Sequence, residues 1–352
     1  MRVAQVTRFG GPEVLVTTEV PDPMAAPGDV VIDVSVADTL FVETQIRKGW
    51  GREFFSFELP YVPGGAVGGQ VLAVGEGVDR GWVGRSVVAS TSGGGGYAEQ
   101  AVVPVEALIP VPEGLGLAEA VALLSDGVTG LAVFDAAGVK PNEWVLITAA
   151  AGGMGVLLVQ LAHAAGARVA AAARGKRKLD LAWELGADIA VDYTEPDWAE
   201  RVRKATGGTN ADSPTDHNAP DHTETGHTGR GREAVGHTGP NVVFDGAGGE
   251  VGRAAFEITA HGGRFSAHGA PSGGFSPIDP DEARRRRVTV RGIQHVQLAP
   301  AERKRLAERA LAEAAAGRMK PVIGQTFPLD RASDAHAAIE SRDVVGKTLL
   351  VI

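Results

Sequence analysis

Residues 147–160, ITAAAGGMGVLLVQ, combine a turn of small residues with the start of an apolar helix. Ala150, Gly152 and Gly155 have the spacing of a G-x-G-x-x-G turn in which alanine replaces the first glycine. Small residues at these positions let backbone N–H groups approach an anion closely, and a helix N-terminus adds partial positive charge. The turn, with Gly153 and Met154 inside it, is therefore predicted to bind the pyrophosphate of a dinucleotide.

A cluster of cations follows about 20 residues later, where a dinucleotide-binding chain often has an acid. The stretch AAAARGKRK at 170–178 contains Arg174, Lys176, Arg177 and Lys178, and no acid stands between Arg168 and Lys178. An acid there would bind the ribose hydroxyls of NAD, whereas cations suit the 2′-phosphate of NADP. Two charge-assisted hydrogen bonds favour NADPH over NADH by on the order of a hundredfold. NADPH is the predicted cofactor; the alternative is that these charges only form a solvated helix face.

The strands and helices that position these residues are predicted from the periodicity of apolar residues. From about residue 123 apolar strands such as EWVLITAA, ARVAAAA and NVVFDGA alternate with amphipathic helices, which is typical of a parallel sheet covered on both faces. Before that point, short β segments are broken by glycine and proline. The prediction is an α/β protein with a compact β domain and a doubly wound parallel-sheet domain. The final segment, GKTLLVI, is predicted to be a strand that returns to the first domain.

Several motifs in sequence order resemble the zinc-independent, zeta-crystallin-like quinone oxidoreductases of the medium-chain dehydrogenase/reductase superfamily. They are AAAGGMG, VPGGAVGGQVLAVGEGV, GGYAEQAVVP, VTGLAVF, ELGADIAVDY and ESRDVVGKTLLVI. The resemblance implies a GroES-like domain at 1–122 and 298–352, and a Rossmann domain at 123–297. It also implies a homodimer joined through the last Rossmann strand, VTVRGIQ.

The same resemblance assigns roles to individual residues. It implies that Lys178, Tyr193 and Arg342 bind the 2′-phosphate, and that Thr129 contacts the nicotinamide end. Tyr193 as a packing residue, Arg342 as a surface charge and Thr129 as a helix-terminus hydroxyl are the alternatives.

The sequence departs from the superfamily pattern at the positions of the zinc ligands and at positions that line the substrate pocket. The zinc enzymes have a Gly-His-Glu run where this chain has PGGAVGG, and the chain has no cysteine for the four-cysteine lobe. No catalytic zinc is expected. Zinc-free relatives commonly have Asn, Tyr and Glu at the positions of Leu40, Gln45 and Ala66, which are predicted to line the substrate pocket.

The predicted activity is NADPH-dependent reduction of quinones or related conjugated carbonyls by hydride transfer. The alternatives are an enoyl or alkenal double-bond reductase in a biosynthetic pathway, and an NADPH-binding sensor without catalysis. Double-bond reduction needs a placed proton donor. His268, after a parallel strand, and Asp126, one helical turn before Thr129, are the candidates, with a packed histidine and a helix cap as their alternatives.

Composition limits the partners. The net charge of −9 argues against a nucleic-acid-binding protein. The run RRRR at 284–287 is interpreted as a solvated helix end. No signal core and no apolar run near the roughly 18 residues of a membrane span are expected, so a cytoplasmic protein with a small-molecule substrate is predicted.

Residues 207–240 are rich in Gly, Thr, Asp and His and have almost no large apolar side chains, so a mobile insertion is predicted. Its histidines lie at 217, 222, 227 and 237. A functional metal site is not expected there, because a helix-to-strand loop lies at the sheet edge opposite the cofactor.

Overall fold

The strands fall into two groups that meet at one long helix. The computed structural model describes residues 1–51, 58–91, 93–207 and 239–352, and the elements named here lie within those ranges. The first group comprises β1 (Arg2–Val6), β2 (Leu15–Glu19), β3 (Asp29–Asp38), α1 (Phe41–Arg47), β4 (Ala66–Val74), β5 (Ser86–Ser90), β6 (Gln100–Pro104) and β7 (Ile109–Pro110).

The second group begins with the long helix and alternates helices with strands. It comprises α2 (Leu117–Ala137), β8 (Trp144–Thr148), α3 (Gly153–Ala164), β9 (Arg168–Ala173), α4 (Lys176–Glu184), β10 (Ile189–Asp192), α5 (Trp198–Thr206), β11 (Val242–Asp245), α6 (Gly249–Glu257), β12 (Arg264–Ala267), α7 (Pro280–Arg285) and β13 (Thr289–Gly292). The chain ends with α8 (Pro300–Ala315), β14 (Ile323–Pro328), α9 (Ala332–Ser341) and β15 (Lys347–Val351).

The second group forms a parallel sheet of the Rossmann type. Within the described residues its order is β10-β9-β8-β11-β12-β13, and every pair is parallel. The short strands are apolar because both faces are covered: Ile147 and Phe244 belong to one buried cluster, Leu146 and Val243 to the other. The order reverses between β8 and β11, and ligands of such sheets bind at the carboxyl ends of the strands at that point.

In the first group, β1 and β2 pair antiparallel as a separate two-stranded sheet, and the other strands form a mostly antiparallel sheet that β14 and β15 complete. Its described order is β14-β15-β3-β4-β5-β7, with β6 also paired to β3. In this sheet β15 pairs antiparallel with β3, and Leu349 stands opposite Asp38. The predicted fold class is confirmed, and so is the predicted return of the last strand to the first domain.

Helix α2 joins the two sheets. It contacts β3, β4 and β5 on one side and α3 and α8 on the other, so it is apolar nearly all round. By length and composition α2 could span a bilayer, and it is the one such helix in the part of the chain that the structure describes; 56% of its apolar window is buried inside the protein. The expectation that no apolar segment reaches this length was wrong, and the reason is that α2 packs on both sides. The predicted boundary between residues 122 and 123 falls within α2.

Two other expectations concern surface segments. Of the predicted insertion at 207–240, only residues 207, 239 and 240 belong to the described residues, so its histidines lie outside them. In the arginine run, Arg284 and Arg285 pair with acids of α7, as expected for a solvated helix end. Arg286 differs, because its guanidinium donates hydrogen bonds to the carbonyl oxygens of Phe256, in the last turn of α6, and of Thr259 just after that helix.

Candidate active site

The small-residue turn lies between β8 and α3, at the carboxyl edge of the parallel sheet. Ala149 has a φ of +52°, and the N–H of Gly152 donates to the Ala149 carbonyl oxygen at 2.9 Å. A Cβ on Gly155 would lie 2.3 Å from that oxygen, so only glycine lets α3 pack against the turn. A Cβ on Gly152 would meet only the same oxygen, at 3.3 Å, which leaves the outer side of the turn open.

This arrangement fits a dinucleotide pyrophosphate. The first N–H groups of α3 have no partner within the helix, and the helix dipole favours an anion there. Gly153 is the first residue of α3, and a Cβ on it would lie 2.1 Å from Asp126 Oδ2 of α2. Met154 packs against α2, where a Cβ on Gly130 would be 3.4 Å from its Cγ. Helix α2 therefore holds the start of α3 in place.

The segment before β15 runs beside the turn. Gly346 donates a hydrogen bond from its N–H to the Ala151 carbonyl oxygen at 2.7 Å, and Gly152 and Gly346 form an isolated parallel bridge. Gly346 has a φ of +66°, and a Cβ there would lie 2.1 Å from the Val322 carbonyl oxygen. Glycine at this position lets the end of the chain contact both the turn and the segment before β14.

The predicted phosphate-binding cations come together at the ends of β9 and α9. Arg174 Nη2 donates to the Ser341 carbonyl oxygen at 3.0 Å and to Asp343 Oδ1 at 2.7 Å. Lys178 Nζ donates to the Arg342 carbonyl oxygen. Burial lowers the pKa of Lys178, and the nearby charges of Arg174 and Arg342 lower that pKa further. An anion bound among these side chains would stabilise the charged form of Lys178.

Tyr193 completes this group at the end of β10. Burial raises the pKa of its phenol, while the positive charges of Arg174 and Arg342 act on that pKa in the opposite direction. The acid beside it is already occupied: Asp192 accepts hydrogen bonds from the N–H of Gly175 at 2.8 Å and from Thr194. The structure thus brings Arg174, Lys178, Tyr193 and Arg342 together, and commits the neighbouring carboxylate to the backbone.

The predicted substrate-side residues lie around α1 and β4. Leu40 donates its N–H to Glu43 Oε2 at 2.9 Å, and Gln45 Nε2 donates to Thr44 Oγ1 at 2.8 Å. Both side chains are partly exposed. Ala66 is different, because it is 1% exposed and belongs to an apolar cluster with Val36. Leu40 and Gln45 therefore have side-chain surface that a ligand could contact, whereas Ala66 lies in the core.

His268 lies where the sequence predicts it, directly after β12. Its Nδ1 is 3.3 Å from Ser266 Oγ, and its ring lies 6.5 Å from that of Phe244, centroid to centroid. Burial lowers the pKa of His268 to about 4, although the negative charge of Asp245 opposes this shift. The imidazole is therefore neutral at pH 7 and can donate a hydrogen bond, but no imidazolium proton. Thr129 is half-buried on α2, one turn after Asp126.

The carboxylate of Asp126 is paired with a buried lysine, which was not predicted from the sequence. Lys347 Nζ lies 2.9 Å from Asp126 Oδ2 and 2.8 Å from Asp38 Oδ1. Lys347 and Asp38 are 5% and 1% exposed in their side chains. The signal was present: a lysine begins the apolar strand KTLLV, and an aspartate ends the apolar strand DVVIDVSVAD.

A second missed group joins the strands at which the sheet order reverses. Thr148 Oγ1 donates to Asp245 Oδ1 at 2.7 Å, and the same oxygen accepts from the N–H groups of Ala247 and Gly248 at 3.1 and 3.0 Å. Ser276 Oγ donates to the other oxygen, Asp245 Oδ2. Asp245 is fully buried and orders the loops after β8 and β11.

The donor set for a metal is poor. The chain has no cysteine, and among the residues that the structure describes no three His, Asp or Glu side chains are grouped to hold an ion. In the segment PGGAVGG, the N–H groups of Gly64 and Gly65 instead donate to Glu43 Oε1, both at 3.1 Å.

Comparisons with known proteins agree with this architecture. The model for the alcohol dehydrogenase GroES-like domain matches residues 26–113, and that for a zinc-binding dehydrogenase matches residues 153–313. Quinone oxidoreductase of Sus scrofa is 29% identical, with 100% of this chain and 98% of the relative covered.

Two solved structures are similar over the full length of both chains. A quinone oxidoreductase from Thermus thermophilus, solved also in complex with NADPH, is 32% identical with a TM-score of 0.74. A protein described as an NAD-dependent alcohol dehydrogenase is 31% identical with a TM-score of 0.82. The two differ in the cofactor they are described with, so the preference of this chain depends on its own residues.

Proposed function

Because the chain belongs to the zeta-crystallin-like quinone oxidoreductases of the medium-chain dehydrogenase/reductase superfamily, we propose that it is an NADPH-dependent, zinc-independent reductase of quinones or related conjugated carbonyls. The cofactor assignment rests on the group formed by Arg174 and Lys178, which follow the second Rossmann strand, and Arg342 at the end of α9. A ribose-binding acid would favour NAD, and the carboxylate of Asp192 is already engaged by backbone N–H groups.

Different groups of residues would bind the different parts of the dinucleotide. The N-terminus of α3 would hold the pyrophosphate, and the three cations with Tyr193 would hold the 2′-phosphate. The bound nicotinamide supplies the hydride. Asp245 fixes the loops after β8 and β11 at the carboxyl edge of the sheet, where the ring would lie, and Thr129 would contact that end. His268 would orient a carbonyl oxygen as a neutral hydrogen-bond donor.

Zinc independence is supported by the chemistry of the side chains. A catalytic zinc in a dehydrogenase needs cysteine, histidine or carboxylate ligands. The chain lacks cysteine, and its PGGAVGG segment offers glycine, alanine and valine where zinc relatives have Gly-His-Glu. A quinone does not need a metal to polarise it, because hydride transfer gives a stabilised hydroquinone anion that takes up a proton readily.

The test is oxidation of NADPH and NADH, side by side, with a panel of small quinones and enones. We expect turnover of quinones with NADPH preferred. Turnover of enones with stereospecific proton uptake, and not of quinones, would instead indicate the double-bond reductase. Tight NADPH binding without oxidation by any acceptor would indicate the sensor. Dialysis against a chelator is expected to leave the activity unchanged.

We also propose the domain limits and assembly that the resemblance implies: a GroES-like domain at 1–122 and 298–352, a Rossmann domain at 123–297, and a homodimer. Strand β13 supports the dimer, because it ends the described parallel sheet and leaves one edge for a second copy. Light scattering of the purified protein tests the dimer.

A further inference from the structure

Three charged side chains from three elements meet beside the turn. Asp38 ends β3, Lys347 begins β15 and Asp126 lies in α2, and the ammonium of Lys347 contacts both carboxylates. Two carboxylates and one ammonium give a net charge of −1 when all three are ionised. Asp38 Oδ2 is buried and has no hydrogen-bond partner within the described ranges. We call these three residues the Asp38 cluster.

The surroundings of Asp38 make its negative charge costly. Burial raises the pKa of Asp38 to about 7; the charge of Lys347 opposes this shift, whereas Asp126 and Glu43 of α1 add to it. Tyr97 also interacts with Asp38; its phenol donates its O–H to Glu43 Oε2 at 2.9 Å and stays neutral because burial raises its pKa well above the ordinary value. Further negative charge beside the Asp38 cluster would therefore favour the protonated form of Asp38.

The Asp38 cluster lies beside the turn at which a dinucleotide would bring such a negative charge. Asp126 Oδ2 lies 2.1 Å from the place of a Cβ on Gly153, the first residue of α3. The N–H groups at that helix end are those that would bind the pyrophosphate. A bound dinucleotide would bring its negative charges close to a cluster that is already net negative.

We propose that Asp38 is a proton-binding site coupled to the dinucleotide site: it takes up a proton when the dinucleotide binds at the glycine turn. The inference rests on the proposed function for the position of the pyrophosphate. Reduction of a quinone by NADPH consumes one proton and yields NADP⁺ and the hydroquinone, so binding would already bring a proton into the protein. The hydride and its two electrons come from the nicotinamide and are not affected.

The expected stoichiometry follows from how far Asp38 is ionised before binding. A carboxyl that is about half protonated at pH 7 can gain roughly half a proton there, and close to one at pH 8. Titration calorimetry of the full chain with NADPH, in phosphate and in Tris at each pH, gives this number from the dependence of the heat on the ionisation enthalpy of the buffer.

Two variants assign the proton. Asp38→Asn removes the titrating group, and the uptake is expected to disappear. Asp33→Asn is the matched control, because it makes the same change at an exposed position of the same strand and should behave as the wild type. The 2′-phosphate of NADPH exchanges protons of its own, and the difference between wild type and Asp38→Asn cancels that contribution.

The outcomes separate the two proposals. NADPH binding with equal proton uptake in the wild type and Asp38→Asn overturns this inference and leaves the proposed function intact, whereas absence of NADPH binding overturns both. If Asp38→Asn does not fold, infrared difference spectroscopy of the wild type decides, since NADPH binding should add a protonated-carboxyl band. A spectrum without that band contradicts the inference.

Discussion

Lys178 of α4 donates a hydrogen bond to the backbone carbonyl oxygen of Arg342 at the end of α9. Lys178 lies in a helix between two strands of the Rossmann sheet, whereas Arg342 lies between β14 and β15, which complete the other sheet. The predicted 2′-phosphate site is therefore shared by the two halves of the molecule, and each half contributes at least one cation to it.

Replacing Lys178 by alanine should weaken NADPH selectively. Loss of one charge-assisted hydrogen bond of about 1.5–3 kcal/mol predicts a roughly ten- to hundredfold rise in the KM for NADPH, with little change for NADH. Lys176→Ala is the control, because Lys176 is 86% exposed and pairs with Asp180 of its own helix. Equal effects of Lys178→Ala on the two cofactors would contradict the assignment.

Arg342 should show opposite effects on stability and binding. Its φ of +62° lies in the left-handed region, so Arg342→Gly relieves backbone strain and should raise the free energy of unfolding by up to about 1 kcal/mol. The same change removes a cation and should weaken NADPH binding. Arg342→Ala removes the charge and keeps the strain, so it should match the glycine variant in affinity but not in melting temperature.

Two glycines of the turn should respond differently to alanine. In Gly155→Ala the new Cβ would lie 2.3 Å from a backbone oxygen, so we expect a large fall in melting temperature. In Gly152→Ala the nearest atom is 3.3 Å away and φ is −81°, so the fold should be kept. Because the open side of the turn is the predicted pyrophosphate site, Gly152→Ala should still weaken dinucleotide binding, measured by fluorescence titration. Normal binding by a folded Gly152→Ala protein would place the pyrophosphate elsewhere.

The buried carboxyl of Asp38 should make stability depend on pH. Its pKa rises from 3.8 to about 7 on folding, so the folded state binds more protons between these values and loses stability as the pH rises through that window, by at most about 1.4 kcal/mol per pH unit. Asp38→Asn lacks this loss. Its melting temperature relative to the wild type should increase from pH 5 to pH 8, whereas that of Asp33→Asn should not. A constant difference would show that Asp38 is ionised throughout.

His268 should not act as a proton-donating imidazolium. With a pKa lowered to about 4, its ring is neutral from pH 5 to pH 8. The pH profile of kcat for His268→Gln should therefore be parallel to that of the wild type over this range. Loss of a limb of the profile in the variant alone would assign an ionising role to His268.

Most of the fold could be predicted from hydrophobic periodicity and local motifs. The apolar strands around ITAAAGGMG and VVFDG, and the helices between them, predicted the parallel sheet because each strand is buried on both faces. The convergence of Lys178 with Arg342 is a long-range contact across 164 positions, and only the family resemblance predicted it.

The buried ion pairs of Lys347 with Asp38 and Asp126 were not predicted from the sequence. Lys347 and Asp38 stand in apolar strands that are far apart in sequence, and only the pairing of β15 with β3 brings them together. Asp126, predicted as a candidate acid, therefore has a lysine partner that its own helix does not reveal. Ala66 was assigned to the substrate pocket from a family position, and its burial in an apolar cluster depends on the packing of α2.

Strand β15 has a consequence for how the polypeptide matures on the ribosome. Residues 349–351 pair with residues 36–38, and the N–H of Gly346 binds the glycine turn. Part of one edge of β3 therefore stays unpaired until β15 has been translated, whereas the segment from α2 to β13 precedes β15 and can assemble its sheet earlier. Loss of the codons for residues 346–351 would leave β3 without this partner strand and the glycine turn without its neighbour.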